Sequence, residues 1–252
     1  MRKAWMVFRL VVHLLYGFVV ALTLWPLLGK KQKEMIEQCW AGQLLLILNV
    51  QVRVVYEKPE ADYSIHKPCL LYSNHVSWLD IFAFNSIHPV TFIAKSEISK
   101  WPIGGLLAKR SGTLFIERGK RHAVRDVIHA AVKVLGTGRC VAVFPEGTTG
   151  AGNTPLHFHS NFVQPAIQAG VPLLPVSLQY FKPDGSFSTE PAFLGDQTIL
   201  ENIKVLLNSK TGFVVQLYIH APINTEGRTR HELSDEAHER IRTICQAQIL
   251  AH

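Results

Sequence analysis

The chain has 252 residues, of which 48% are hydrophobic and 18% charged; this is enough for one sizeable core plus a terminal appendage, and excludes both a disordered chain and a polytopic membrane protein. Lys and Arg number 26 against 19 Asp and Glu, and the resulting +7 suits an anionic partner without choosing among nucleic acid, lipid headgroups and phosphorylated substrates. Cys39, Cys69, Cys140 and Cys245 lie far apart with no C-x-x-C spacing, which excludes a zinc finger or redox motif and reads as buried thiols in a reducing compartment.

From Leu10 to Leu28 the chain reads LVVHLLYGFVVALTLWPLL, whose only side chain titrating near neutral pH is His13. At about 1.5 Å per residue this run approaches the roughly 30 Å of a hydrocarbon core. Arg2, Lys3 and Arg9 make a basic start, but no small-residue cleavage site follows, which favours a membrane-seated helix over a cleaved secretory signal. From Gln32 to Leu48 a second helical pattern places Met35, Ile36, Cys39, Trp40, Leu44 and Ile47 on one face, opposite Lys33, Glu34, Glu37 and Gln38. Basic residues flank the apolar run on both sides, so a spanning helix and a hairpin dipping into one leaflet both fit. The second helix is expected either at the membrane interface or packed on the domain. Residues 1–49 thus form an expected membrane-associated helical region, ahead of an α/β domain over 50–252.

Beyond Val50, short β-branched runs alternate with helical patterns. The strands are RVVYE, PCLLYS, VTFIA, TLFIE, CVAVF, LLPVSLQYF and GFVVQLYIH; the helices run from Trp78 to Ile87, Arg121 to Leu135, Phe162 to Ala169 and Asp235 to Ala251. Continuous apolar strands between helices predict an α/β fold with a mostly parallel central sheet covered by helices, with antiparallel pairing possible between the last two strands. In such sheets the chemistry gathers beyond the carboxyl ends of the strands. Four segments there stand out: Asn74 to Asp80 after PCLLYS, Arg118 to Arg121 after TLFIE, Pro145 to Gly150 after CVAVF, and the apolar Val171 to Val176. The last carries Pro172 and Pro175, which suits an edge strand or a wall rather than a central strand.

Singly, each has a plain structural explanation. Ser77 to Asp80 fits a helix start with Ser77 as N-cap and Asp80 in the favoured first turn. Glu146 fits a turn carboxylate, Arg118 a surface cation, and Gly147 and Gly150 turn formers. Together they fit catalysis. A His at a strand end and an Asp one helical turn into the next element bring carboxylate to imidazole, so that Nδ1 of His75 donates to Asp80 and Nε2 takes a proton from an attacking hydroxyl. No G-x-S-x-G is present, and Ser73 and Ser77 lack an elbow context, so the hydroxyl is expected to come from substrate.

NHVSWLD, GTLFIERG, FPEGTTG and VPLLPV resemble, in order and spacing, the four motifs of the glycerolipid acyltransferase family, over roughly Val55 to Gln179. The apolar N-terminal helix and the stretch KSEISKWPIGGLLAKRSG are similar to the family pattern as well. The resemblance implies transfer of a fatty acyl group from an acyl-CoA or acyl carrier protein thioester to a lysolipid hydroxyl, 1-acyl-sn-glycerol-3-phosphate first among acceptors. It implies no cofactor beyond the donor, no metal, and a place on the bilayer, with the catalytic domain on the cytoplasmic face of a bacterial inner membrane. By the same resemblance His75 is the base and Asp80 its partner, Arg118 holds the acceptor's phosphate, Glu146 and Gly147 with Thr148 beside them orient the acceptor, and Pro175 shapes the acyl-binding wall. Two departures stand against a phosphate acceptor: Thr149 occupies a position commonly Arg in the family, and Phe158-His159-Ser160-Asn161 replaces a basic site. They leave a lyso-aminolipid of the ornithine type as the alternative acceptor.

Other classes fit less well. No Walker motif exists, because Gly112 to Lys120 has the wrong interval and encloses a strand. A zinc site of His75, His157 and His159 is open, since His-x-His is a usable metal pair. A noncatalytic lipid-binding protein is disfavoured by the intact His75 and Asp80, and a nucleic-acid partner by the apolar anchor.

Overall fold

The computed structural model describes residues 2–58, 67–117 and 121–250. Two helices lead, α1 (Arg2–Thr23) and α2 (Lys30–Ile47), separated by a 3-10 turn at Trp25–Leu27 that Pro26 initiates. Then come β1 (Val50–Tyr56), β2 (Leu70–Ser73), α3 (Leu79–Ile87), β3 (Thr91–Lys95), α4 (Pro102–Arg110), β4 (Leu114–Ile116), α5 (Arg121–Gly136), β5 (Val141–Val143), α6 (Gln164–Ala169), β6 (Leu173–Phe181), α7 (Ile199–Asn208), β7 (Phe213–Ile219) and α8 (Arg230–Leu250).

The strands form one seven-stranded sheet in the order β1-β7-β6-β2-β5-β3-β4. The pairs from β6 through β4 are parallel, β1 runs parallel to β7, and the β6–β7 seam is antiparallel. The sheet is therefore mostly parallel with one reversed pair, as the strand pattern predicts. Its two faces bury separate cores. Leu71, Leu174, Val176, Leu178 and Tyr180 face α1, α2, α3 and α7, whereas Leu70, Tyr72 and Leu173 face α5, α6 and α8. This alternation along β2 and β6 is the period-2 signature of strands covered on both sides.

The proline-bearing strand is not at an edge. β6 lies between β7 and β2, with Pro175 opposite Tyr72. A bulge makes room for it: Leu173 bridges Ile223, yet Val176 pairs with Ile219, so the chain entering from β7 carries one extra residue across this interval. The missing N–H of Pro175 falls where the ladder is already interrupted, while its carbonyl still accepts from the His220 amide at 3.0 Å.

Helices α1 and α2 form a hairpin laid on the first face. His13 and Trp40 clasp it: Trp40 Nε1 donates to the His13 carbonyl at 3.3 Å, His13 Nε2 lies 3.1 Å from the Trp40 carbonyl, and the rings stack at 4.7 Å. Gly17 allows this approach, since a Cβ there would meet Trp40 Nε1 at 2.6 Å. At the start of α1, Arg2 donates to the Ser209 and Lys210 carbonyls just past α7, and Lys3 reaches Asn208 Oδ1 at 2.6 Å. By length and composition α1 is apolar enough to cross a membrane. One stripe of it, Met6, Leu10, His13, Gly17 and Val20, is buried on the domain, and the opposite face exposes Trp5, Phe8, Leu15, Tyr16 and Val19.

The expected apolar face of α2 is rotated. Leu44 and Ile47 are buried, but Met35 and Cys39 are exposed, so Cys39 departs from the buried-thiol expectation that Cys69, Cys140 and Cys245 meet. Glu37, expected on the solvent side, is turned inward to Arg139 at 2.7 Å, just ahead of β5. Two helices are missing from the sequence expectation. The start of α4 hides a Pro-Ile-Gly-Gly run that reads as loop, and α7 begins with a reciprocal capping box between Thr198 and Glu201.

Burial pushes the Glu37 carboxyl up to about 7, against the pull of Arg139. The folded state thus holds this proton more tightly than the unfolded chain, and the stability it contributes is present below the ordinary carboxylate value and lost as pH rises through about 7. Thermal denaturation is expected to show Tm falling between about pH 5 and pH 8, with a smaller fall in Glu37→Gln even though that variant leaves Arg139 without its anionic partner.

Candidate active site

The connections from β2 and β5 leave the same rim in opposite senses. α3 follows β2 on the first face and leads to β3, while α6 follows β5 on the second face and leads to β6. The loops after these two adjacent strands therefore diverge, which leaves a crevice at the topological switch point. His75 and Glu146 stand in it, one on each loop.

Asn74 sets where the first loop departs. Its side chain donates from Nδ2 to the Leu178 carbonyl and accepts the Leu178 amide at Oδ1, both at 2.8 Å, so it continues the β2–β6 ladder after the backbone has left it. The next residue, His75, is carried to the rim with 18% of its side chain exposed. Its ring lies flat on Phe144, 3.9 Å between centroids at 6°, and Phe144 in turn packs on Phe84 and Phe92. The imidazole is fixed in orientation by apolar contact on one side and a carboxylate at its edge.

That carboxylate is Asp80, fully buried in the first turn of α3. Its Oδ2 lies 2.8 Å from His75 Nδ1 and also accepts the amides of Val76 at 2.7 Å and Ser77 at 2.9 Å. Helix start and imidazole orientation are thus one arrangement, not rivals: the amides of Val76 and Ser77, in the loop ahead of α3, and the His75 ring meet the same Asp80 oxygen. Ser77, expected as the N-cap, does not fill that role; the cap position is Trp78, with no side-chain cap bond, and Asp80 reaches back to the buried amides of Val76 and Ser77. An acceptor-only carboxylate requires His75 Nδ1 to carry the proton, which leaves a lone pair on Nε2.

The second loop is tied to the first. Glu146 is buried and accepts the Leu156 amide on Oε1 at 3.0 Å and the His75 amide on Oε2 at 3.3 Å. Burial, aided by the negative charge of Asp80, pushes its carboxyl up to about 7 against the pull of those two amides. Gly147 turns the loop at φ +66°, where a side chain would be strained, and Gly150 donates to the His75 carbonyl at 2.7 Å. Thr148 is exposed on this turn. Thr149 donates its hydroxyl to the Phe193 carbonyl, and the Phe193 amide returns a bond to the Val76 carbonyl at 2.9 Å, so the segment after β6 straps both loops. Trp78 Nε1 completes the strap through Asn202 Oδ1 on α7 at 2.9 Å.

His75, Asp80 and Glu146 are therefore brought together, with Gly147 and Thr148 following Glu146 on the second loop. Pro175 is not with them. It is buried on the second face with Leu173, while the His75–Asp80 pair belongs to the first, because residues 174, 176, 178 and 180 alternate toward α3. Arg118, with Gly119 and Lys120, lies outside the described residues. Among the described residues no three His, Cys, Asp or Glu side chains converge as metal ligands, so His75, His157 and His159 do not form the zinc site left open above. Sequence reasoning missed Asn74, Phe144 and Tyr180, whose hydroxyl donates to Asp80 Oδ1 at 2.7 Å.

An imidazole oriented at a crevice, with Nδ1 against a carboxylate and Nε2 unengaged among the described residues, is suited to deprotonating a substrate hydroxyl. The family model described as Acyltransferase matches residues 50–179. The lyso-ornithine lipid O-acyltransferase of Pseudomonas aeruginosa is 34% identical over 210 residues, covering 83% of this chain and 78% of that protein. The 1-acyl-sn-glycerol-3-phosphate acyltransferase of Neisseria gonorrhoeae is 34% identical over 204 residues, covering 79% of this chain and 76% of that protein. The solved structure of the 1-acyl-sn-glycerophosphate (LPA) acyltransferase PlsC from Thermotoga maritima superposes with a TM-score of 0.68 at 23% identity, over 98% of this chain and 97% of that chain, which establishes the shared fold. With its matched span running from β1 into β6 and enclosing both loops of the crevice, the chain belongs to the Acyltransferase family.

Proposed function

We propose that this protein transfers a fatty acyl group from a thioester, acyl-CoA or acyl carrier protein, to the free hydroxyl of a lysolipid. The 2.8 Å contact between His75 Nδ1 and the buried Asp80 carboxylate carries the reading. Nε2 of His75 takes the proton of the acceptor hydroxyl as its oxygen attacks the thioester carbonyl. The tetrahedral adduct then collapses, the C–S bond breaks, and the imidazolium returns the proton to the departing thiolate. Asp80 supports the transient positive charge on His75, and the stack on Phe144 keeps the ring aimed. Glu146 acts by holding the second loop to the backbone of His75, so that Gly147 and Thr148 form the acceptor side of the crevice.

The first acceptor reading is 1-acyl-sn-glycerol-3-phosphate, the substrate class in the name of the Neisseria relative, with Arg118 and the basic residues after it as the phosphate partners. The second is lyso-ornithine lipid, as in the name of the Pseudomonas relative. Thr149 favours the second, because its hydroxyl is committed to the Phe193 carbonyl at a position where a cation would serve a phosphate. Purified protein offered a panel of lysolipids with labelled acyl thioester is expected to yield a diacylated lipid identifiable by mass spectrometry; no acylation of any lysolipid would overturn the reading. Thr149→Arg is expected to raise activity on the phosphate-headed acceptor relative to the aminolipid by at least ~10-fold if a charged hydrogen bond forms.

The reaction is placed at a bilayer surface. The exposed face of α1, from Trp5 to Val19, enters lipid while its other stripe stays on the domain, so the hairpin lies along the membrane. The side with access to acyl-CoA and carrier protein is the cytoplasmic face of an inner membrane. Because apolar burial is not screened by salt, the protein is expected to sediment with membranes and resist extraction at high ionic strength; release by salt alone would contradict this placement.

A further inference from the structure

We propose that Tyr180 is a positioning residue for the reaction, acting on His75 through Asp80; the proposal rests on the general-base reading of His75. The Asp80 carboxylate is divided between two tasks. Oδ2 receives His75 Nδ1 and the amides of Val76 and Ser77, and Oδ1 receives the Tyr180 hydroxyl at 2.7 Å. Tyr180 is fully buried on β6, facing the first core, and reaches the carboxylate from the side away from the imidazole.

Two consequences follow from that geometry. Among the described residues the phenol is the hydrogen-bond donor to Oδ1, in a pocket that includes Val76, Leu79 and Leu178; without it the bare carboxylate oxygen is driven to turn toward another donor, such as the nearby Ser77 hydroxyl, or to take up a proton. Either response removes the acceptor that keeps the proton on Nδ1 and the lone pair on Nε2. The phenol also discriminates between protonation states, since an O–H donates well to a carboxylate and poorly to a carboxylic acid already carrying a proton. Tyr180 keeps its own proton, because burial and the adjacent Asp80 charge push its ionisation well up.

The placement is reinforced along the same strand. Leu178, two residues before Tyr180, exchanges both backbone bonds with Asn74, the residue immediately preceding His75. β6 therefore fixes the base from below through Asn74 and its partner from the side through Tyr180, and the Tyr180 carbonyl also anchors the strap by accepting the Ser188 amide at 2.9 Å.

The test is Tyr180→Phe in the full chain, which keeps the ring and removes the donor. The expected result is kcat per folded molecule down by roughly 10- to 100-fold with the acceptor KM within about two-fold, the pattern of an interaction made through the catalytic group. The downfield proton resonance of His75 Nδ1–H, assigned by its loss in His75→Ala, is expected to move in the same variant. Incorporating 3-fluorotyrosine at position 180 keeps the fold and strengthens the donor, and is expected to move that resonance in the opposite direction. An unchanged kcat in Tyr180→Phe, or a resonance unmoved by both substitutions, overturns the proposal. His75→Ala run alongside separates the two claims: if it acylates at the wild-type rate the base reading fails, and if it is inactive while Tyr180→Phe is normal, only the role of Tyr180 fails.

Discussion

One buried carboxylate organises this molecule. Asp80 sits at zero exposure with four donors around it: an imidazole, two backbone amides and a phenol. A carboxylate in an apolar core is tolerated only when its oxygens are satisfied, and here each donor comes from a different structural commitment. The amides come from the loop between β2 and α3, the phenol from β6, and the imidazole from just beyond the end of β2. Correct folding of three elements is therefore read out at one charge, which is what holds His75 in the tautomer that general-base chemistry needs.

The sheet topology explains why this charge lies beside a usable opening. Loops from the adjacent strands β2 and β5 part toward opposite faces, and the gap between them is lined by backbone that Asn74, Glu146 and Gly150 tie together. The segment after β6 then crosses both loops through Phe193 and Thr149. The Thr149 bond to the Phe193 carbonyl thus stiffens the second loop. On the first face the aromatic contacts Trp40–Phe82 and Trp78–Phe82 run from the α1–α2 hairpin to the loop bearing His75. They give the hairpin a packed connection to the site.

Much of this was legible in the sequence, for identifiable reasons. Apolar strands alternating with helices specified the sheet, and the spacing of His75 and Asp80 specified their meeting, because both signals are local. The residues that were missed act across distance: Asn74, Phe144 and Tyr180 become informative only when β2, β5 and β6 are side by side. The two prolines near β6 suggested an edge, because the bulge that accommodates Pro175 is built by residues on the far side of the seam, around Ala221. The face of α2 was misjudged for a similar reason, since Glu37 is drawn inward by Arg139, more than a hundred positions away in the sequence. α7 is the contrary case: the Thr198–Glu201 capping signature was present and local, and marked a helix start.

The backbone-amide bonds and the imidazole bond share one carboxylate, so the most direct test removes its charge while keeping its shape. Asp80→Asn retains an oxygen for the Val76 and Ser77 amides but cannot support a positive imidazolium as an anion does. Turnover and thermal melting measured on the same preparation are predicted to separate, with kcat reduced by roughly 10²- to 10⁴-fold while melting remains cooperative and within several degrees of wild type. Near-normal turnover in the folded Asp80→Asn protein would contradict the account at its centre.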